Sequence, residues 1–173
     1  MTSLTLSPIE RSDLALIQSW RNSKKVLPYV REYRLLSLEH VEKWFEDMIL
    51  DDKFQMFMMH HQSIPIGICG LTYINWQNRH ADLHFAIYKD DKWIDDRYAP
   101  EFYKIIADYA FGDLNLNKMY VEVYENDHKK ISFFESQHFK LDGRNRQHYY
   151  HKGEYLDSLI YSILKVEYLG ENL

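Results

Sequence analysis

The chain has 173 residues, enough to bury one hydrophobic core without disulfides or a structural metal. Its 21 basic and 26 acidic side chains give a formal net charge of −5 with both signs interspersed, which argues against a nucleic-acid tail and against nucleic acid as a ligand. The single cysteine, Cys69, excludes an internal disulfide and a thiolate zinc cluster; Met1 to Glu10 does not read as a signal peptide, and no window nears the roughly 18 apolar residues of a membrane span, so a soluble, cytoplasmic protein is expected.

Leu4 to Pro8 reads as a short strand. Ser12 or Asp13 is expected to cap a helix with Leu14, Ile17 and Trp20 inward, interrupted at Asn22 and Ser23. Lys24 to Leu36 has no clear period. Ser37 is expected to cap a second helix, through Val41, Trp44, Phe45 and Met48 to about Leu50. From Phe54 the period changes to that of strands: Phe54 to His60, Ile64 to Ile74, a polar turn at Asn75 to Arg79, then Ala81 to Tyr88 with Ala81, Leu83, Phe85 and Ile87 on one face. Gly67 and Gly70 inside the second of these strands mark a bulge or a close backbone approach.

After the polar segment Lys89 to Arg97, Pro100 stands in the first turn of a helix expected to reach Phe111 and to stop at Gly112. Lys118 to Tyr124 is the next strand, with Met119, Val121 and Val123 alternating. Asp127 is expected to cap a helix carrying Ile131, Phe133 and Phe134, and strands at about His148 to His151 and Tyr155 to Leu164 meet at a turn with Lys152 and Gly153. No repeat or linker divides the chain, so a single domain over 1–173 is expected, of α+β class with a central, mostly antiparallel sheet. The chain is rich in tyrosine, phenylalanine and tryptophan, which suits a core or a groove for a long, partly apolar ligand.

Four motifs stand in this order: Trp20-Arg21-Asn22 with Ser37-Leu38-Glu39-His40 and Trp44-Phe45; Ile66-Gly67-Ile68-Cys69-Gly70-Leu71 running into Asn75-Trp76-Gln77-Asn78-Arg79; Asp108-Tyr109-Ala110-Phe111 with Leu114-Asn115-Leu116; and Glu122-Val123-Tyr124-Glu125-Asn126 followed by Ile131, Phe133, Phe134, Glu135 and Leu141-Asp142-Gly143-Arg144. Together they resemble the GNAT acetyltransferase superfamily, in its ribosomal-protein-acetyltransferase-like branch, and are similar to amino-sugar-nucleotide acetyltransferases such as that of pseudaminic acid synthesis. The resemblance implies a mixed, mostly antiparallel sheet flanked by helices, acetyl-CoA as acyl donor, and a primary amine acceptor on a small metabolite such as an amino-sugar nucleotide, or on a protein N-terminus. A homodimer is compatible with it.

An acyl-CoA thioester is already activated, so such an enzyme has to hold it beside the amine, take the amine's proton and stabilise the oxyanion and thiolate. The resemblance places the pantetheine arm on the main chain of Phe85, Ile87 and Tyr88, with Asn126 touching it and Phe133 and Phe134 on the cofactor side. The pyrophosphate belongs over the loop before the third helix, where backbone N–H groups form an anion site. Members of the superfamily usually carry Gly-x-Gly there. This chain has Asp95, Arg97 and Ala99, with Asp95 and Asp96 repelling phosphate and Arg97, aided by Lys92, attracting it; Tyr98 lies in the same loop. Glu122 matches a carboxylate proposed as general base. The position of the usual tyrosine general acid is Phe134, which has no proton to give, so Tyr124 and Tyr98 become the candidate hydroxyls; the position of another polar participant is Gly70.

No metal is expected: His60 and His61 are adjacent, and His148 and His151 three apart, so each pair should point to opposite faces of a strand. Tyr149-Tyr150 and Arg144-Asn145-Arg146 border an acceptor pocket or form a solvated strand face. The altered loop and Phe134 also raise an alternative, a catalytically impaired CoA-binding or sensing protein of the same fold.

Overall fold

The computed structural model describes residues 4–27, 30, 34–88, 97–151 and 153–171. Among them are strands β1 (Leu4–Pro8), β2 (Gln55–His61), β3 (Ile64–Asn75), β4 (His80–Ile87), β5 (Lys118–Tyr124), β6 (Lys140–His151) and β7 (Glu154–Leu164). The helices are α1 (Leu14–Arg21), α2 (Leu38–Leu50), α3 (Ala99–Asp108), α4 (His128–Ser136) and α5 (Lys165–Glu171). The strands make one sheet in the order β1-β2-β3-β4-β5-β7-β6. The β1·β2, β2·β3, β5·β7 and β6·β7 ladders are antiparallel, and β4·β5 is parallel. Among the described residues no helix is long and apolar enough to cross a membrane. Two compact units are distinguished along the chain, Met1–Thr72 with His84–Ile106, and Tyr73–Leu83 with Ala107–Leu173.

In the first unit the apolar faces of α1 and α2 supply Leu14, Ile17, Val41, Phe45 and Met48 to a core that also takes Met56, Met58, Ile68 and Tyr88. Ser37 caps α2 as expected, its Oγ accepting from the His40 N–H at 3.4 Å. Neither Ser12 nor Asp13 caps α1 in the expected way. A 3-10 turn at Arg11–Asp13 precedes the helix, and Asp13 Oδ2 reaches back to accept from the Glu10 N–H at 2.9 Å, the returning arm of a capping box. Asn22, read as an interruption, is a clamp: its Oδ1 accepts from Leu36 N–H at 2.8 Å while its Nδ2 donates to Leu36 O at 2.9 Å. Gln18 Nε2 donates to the same carbonyl at 2.9 Å, so α1 holds the chain that enters α2.

Both strand glycines are sites of close approach. A Cβ on Gly67 would lie 2.3 Å from Ala86 O and 2.8 Å from Ile87 Cα, and one on Gly70, at φ +155, would lie 2.1 Å from Gln55 O. The backbone of β3 therefore lies against β4 at one glycine and against β2 at the other.

In the second unit β5 buries Met119, Val121 and Val123 and turns Tyr120, Glu122 and Tyr124 to the other face. Asp127 caps α4, Oδ1 accepting from the Lys130 N–H at 3.2 Å. Gly112 does not stop the third helix: α3 ends at Asp108 and runs into a π turn, Tyr109–Asp113, which contains that glycine. Strand β6 begins at Lys140, not near His148; apart from Leu141 and Gly143, residues 140–147 are polar, and nearly all are exposed, so they lack an apolar alternation, and their pairing with β7 alone makes them a strand. The sequence also gives no notice of α5, whose Tyr168 hydroxyl donates to Asp108 Oδ1 at 2.6 Å while its ring lies 5.2 Å from Phe111. Of the turn expected at Lys152 and Gly153, Lys152 lies outside the described residues.

Candidate active site

Glu122 sits in the middle of β5 with its side chain 12% exposed. Three donors converge on its carboxylate. His148 Nδ1 lies 2.7 Å from Oε1, the Tyr149 hydroxyl donates to Oε2 at 2.7 Å, and the Ser158 hydroxyl donates to Oε1. Ser158 is fully buried, and its Oγ also lies 2.9 Å from His148 Nδ1. A carboxylate only accepts, so the proton of the His148 ring stands on Nδ1 in the neutral form and Nε2 carries the lone pair. That is the arrangement by which an acid fixes the tautomer of an imidazole base.

The sequence leads to Glu122 but not to its partners. On a regular strand His148 and Tyr149 would point to opposite faces. The β6·β7 register shifts between Asn145 and Tyr149, and Gln147 adopts φ 49, so both side chains reach Glu122. The same irregularity corrects the expectation that His148 and His151 face opposite ways: His148 meets Glu122, and the His151 ring lies 6.5 Å from that of Tyr124, which shares the Glu122 face of β5. Nothing local marks such a bulge except the polar run that precedes it.

Tyr124 is half-buried, its ring edge-on to Tyr149 at 5.1 Å. Asn126 is exposed in the turn between β5 and α4. Phe133 and Phe134 are both buried, 5.2 Å apart, and Phe134 also packs on Phe139 at 5.1 Å. Arg144 pairs with Asp157 and Glu125, which hold its pKa up, Asp157 first, so this side chain of the Arg144 to Arg146 run is tied to carboxylates.

In the first unit Phe85, Ile87 and Tyr88 are buried, and the Tyr88 N–H donates to Ile66 O at 2.8 Å. The β4·β5 ladder consists of His80, Ala81 and Asp82 paired with Lys118, Met119 and Tyr120. Strand β4 continues to Ile87, beyond that ladder. At the start of α3, Ala99 is fully buried and Tyr98 O accepts from the Phe102 N–H at 3.1 Å. The exposed Arg97 guanidinium stands 5.2 Å from the Tyr98 ring centre, and the Tyr98 hydroxyl lies 3.3 Å from His61 Nδ1. Lys92, Asp95 and Asp96, on which the expected phosphate loop also depends, lie outside the described residues.

A cavity of about 360 Å³ lies in the first unit, walled by α1, α2 and side chains of β2, β3 and β4. Its apolar walls include Ile17, Val41, Trp44 and Met56, and its polar groups come from Arg21, Arg34, His40, Thr72, His84 and Tyr88. Burial raises the Tyr88 phenol pKa, offset in part by the Arg21 guanidinium beside it. The Trp20 and Tyr88 rings stack at 5.4 Å. The first motif, around Arg21 and His40, is on this cavity; Arg34 and His84 have no sequence signal of their own.

The family model described as "Acetyltransferase (GNAT) domain" matches residues 6–160. A spermidine N(1)-acetyltransferase from Vibrio cholerae is 27% identical over 172 residues, 99% of this chain and 98% of that protein. Among solved structures, a spermidine N-acetyltransferase from Vibrio cholerae in complex with CoA and spermine is similar at a TM-score of 0.88 and 28% identity, covering 96% of this chain and 98% of that one. A dodecameric form of the Vibrio cholerae enzyme is similar at a TM-score of 0.83 and 26% identity, covering 98% of each chain.

Proposed function

The chain belongs to the acetyltransferase (GNAT) domain family and is an acyl-CoA-dependent N-acetyltransferase, and on that premise we propose that it transfers the acetyl group of acetyl-CoA to the primary amine of a small molecule through a base built from Glu122 and His148. The observation that carries the base is the convergence of His148, Tyr149 and Ser158 on one carboxylate. Both Glu122 oxygens already accept hydrogen bonds, so Glu122 orients His148, and Nε2 of that ring, whose side chain is 45% exposed, takes the proton. The amine nitrogen bonds to the thioester carbonyl carbon, the C–S bond breaks, the amine proton passes to the base, and the CoA thiolate leaves. A thiolate is a far better leaving group than an alkoxide, so the phenylalanine at position 134 slows this step without forbidding it.

The pantetheine arm is assigned to the main chain of β4 at Phe85 and Ile87 and of Tyr88 just after it; the short β4·β5 ladder, ending at Asp82, supports this. Arg97 supplies a cation and the α3 start supplies backbone N–H groups for the pyrophosphate. The resemblance had pointed to an amino-sugar nucleotide or a protein N-terminus, whereas the relatives whose names state an acceptor name spermidine, which supports a small amine in general. The binding-only alternative is not favoured beside relatives that are acetyltransferases. The match over residues 6–160 supports treating 1–173 as one acyltransferase domain, and a dodecameric relative supports assembly of several copies.

The test is Glu122→Gln. Its kcat should fall about 10²- to 10⁴-fold, while calorimetry shows acetyl-CoA binding unchanged. His148→Gln should lose a similar factor. A Glu122→Gln enzyme that keeps its kcat removes the pair from the chemistry.

A further inference from the structure

We propose that the cavity between α1, α2 and the sheet takes as acceptor a monoamine with an apolar tail, the tail lying among core side chains, in preference to a polyamine. The inference rests on the acetyltransferase reading above and concerns the body of the acceptor. It begins with the walls. Ile17, Val41, Met56 and Ile68 belong to the buried core of the first unit, and Leu36 and Trp44 pack half-buried against it; all six line the cavity. Protein cores keep few voids larger than a water molecule, because the lining of an empty apolar space loses the contacts it would otherwise make. A space of about 360 Å³ bounded by these side chains is far larger than such a void and falls in the range of small-molecule sites.

The polar groups around these walls are engaged by the chain itself. Arg21 donates to the phenol oxygen of the buried Tyr88, His40 Nδ1 lies 2.8 Å from the Ser37 hydroxyl, and Arg34 and His84 also interact with other groups of the protein. The surface left to a ligand is mainly the apolar one. An alkyl tail laid against it leaves water, a gain of about fourfold in affinity per methylene group. A polyamine would instead strip water from a second ammonium among aliphatic side chains, where a charge without a dedicated partner is costly. Attraction of that ammonium to the Trp44 ring offsets only part of the cost. His84 belongs to β4 and Tyr88 follows it, so the cavity adjoins the segment whose main chain is assigned to the pantetheine arm.

The experiment uses the full chain, saturating acetyl-CoA and detection of released CoA thiol. Propylamine, butylamine and pentylamine form a series in tail length, and 1,5-diaminopentane and spermidine are the polyamine comparisons. From propylamine to pentylamine kcat/KM should rise by about tenfold or more, and 1,5-diaminopentane should fall about tenfold below pentylamine. Trp44→Ala should reduce the pentylamine-to-propylamine ratio severalfold, and Trp44→Phe should recover part of it. Because the ratio does not depend on how much of a variant is folded, a loss of stability cannot imitate this result. A flat series, or 1,5-diaminopentane or spermidine turned over as well as pentylamine, overturns the proposal. So does a ratio that survives in both Trp44→Ala and Met56→Ala, since the apolar contact then lies outside this cavity.

If no amine is acetylated, the amine-transfer reading fails separately. The cavity is then probed by thermal shift with pentan-1-ol and, at equal concentration, 1,5-pentanediol. Stabilisation by pentan-1-ol that exceeds that of the diol and disappears in Trp44→Ala upholds an apolar-tail site, and any other outcome overturns it.

Discussion

Gly67→Ala tests how closely β3 and β4 must approach to set the strand assigned to the cofactor. The added Cβ would stand 2.3 Å from Ala86 O, 2.8 Å from Ile87 Cα and 2.8 Å from Met59 Cε, whereas real Cβ atoms essentially never come within 3.0 Å of a neighbour. The Met59 methyl can swing aside. The Ala86 carbonyl is main chain inside a strand and would have to retreat by about 0.7 Å, the difference between 3.0 and 2.3 Å. A shift of that size on the 2.8 Å bond from Tyr88 N–H to Ile66 O takes it to the edge of hydrogen bonding. Overpacking costs about 1–3 kcal/mol and one weakened hydrogen bond about 1 kcal/mol more, so the loss should be about 2–4 kcal/mol. Urea unfolding measures it, with Gly112→Ala as control, since a Cβ there meets nothing within 4 Å and should change stability by less than about 0.5 kcal/mol. Because β4 moves, acetyl-CoA affinity should fall with stability. A Gly67→Ala protein as stable as the control variant would refute the close approach and the assignment of β4 as a rigid support.

Phe134→Tyr restores a hydroxyl at the position where the resemblance places a general acid. The ring is 2% exposed and packed between Phe133 and Phe139, so the variant should lose about 1–3 kcal/mol for a buried hydroxyl and gain little in kcat; a gain above about tenfold at unchanged stability would show that the ring edge faces the departing sulfur. Stability should also fall on the acid side. The Asp157 carboxyl is held below its ordinary 3.8 by the Gln147 N–H and then by Arg144, and the Glu167 carboxyl below its ordinary 4.5 by Lys140 and then by the Leu164 N–H. Between folded and unfolded pKa values the unfolded chain binds the extra proton, so the stabilisation is present above about pH 4.5 and is lost as the pH falls through the depressed values. Asp157→Asn should flatten the Tm-against-pH curve there, and a curve parallel to that of the parent would count against the Arg144–Asp157 pair.

What could be read from the chain alone follows from where side chains and not backbones carry the information. Strands β1 and β5 have the bounds that their residues suggest, and β5 does so because Met119, Val121 and Val123 alternate with polar neighbours on a half-buried surface. Ser37 and Asp127 announce their helices because a cap is a local bond between a side chain and an N–H three residues on. Strand β6 fails the same reading, since an exposed edge strand needs only a partner for its backbone and any polar run supplies that. Helix α5 fails because it is short and is held by a long-range contact, Tyr168 on Asp108, that no local period foreshadows.

The site divides along the same line. Glu122 is legible as a carboxylate on a strand in a recognisable motif, but the base proposed for it depends on an irregularity in β6 that brings His148 and Tyr149 to the same carboxylate. The polar lining of the cavity is less legible still. Arg21 and His40 belong to the first motif, Arg34 to a stretch with no period, and His84 to a strand whose named features are apolar; only the packing of α1 and α2 over β4 gathers them. Net charge gives no help, because −5 over the whole chain and four basic groups in one cavity are independent quantities. Similarity to spermidine acetyltransferases therefore carries the reaction further than it carries the acceptor: the reaction goes with a fold shared along nearly the whole chain, whereas an acceptor is read by side chains that can change without disturbing a single strand.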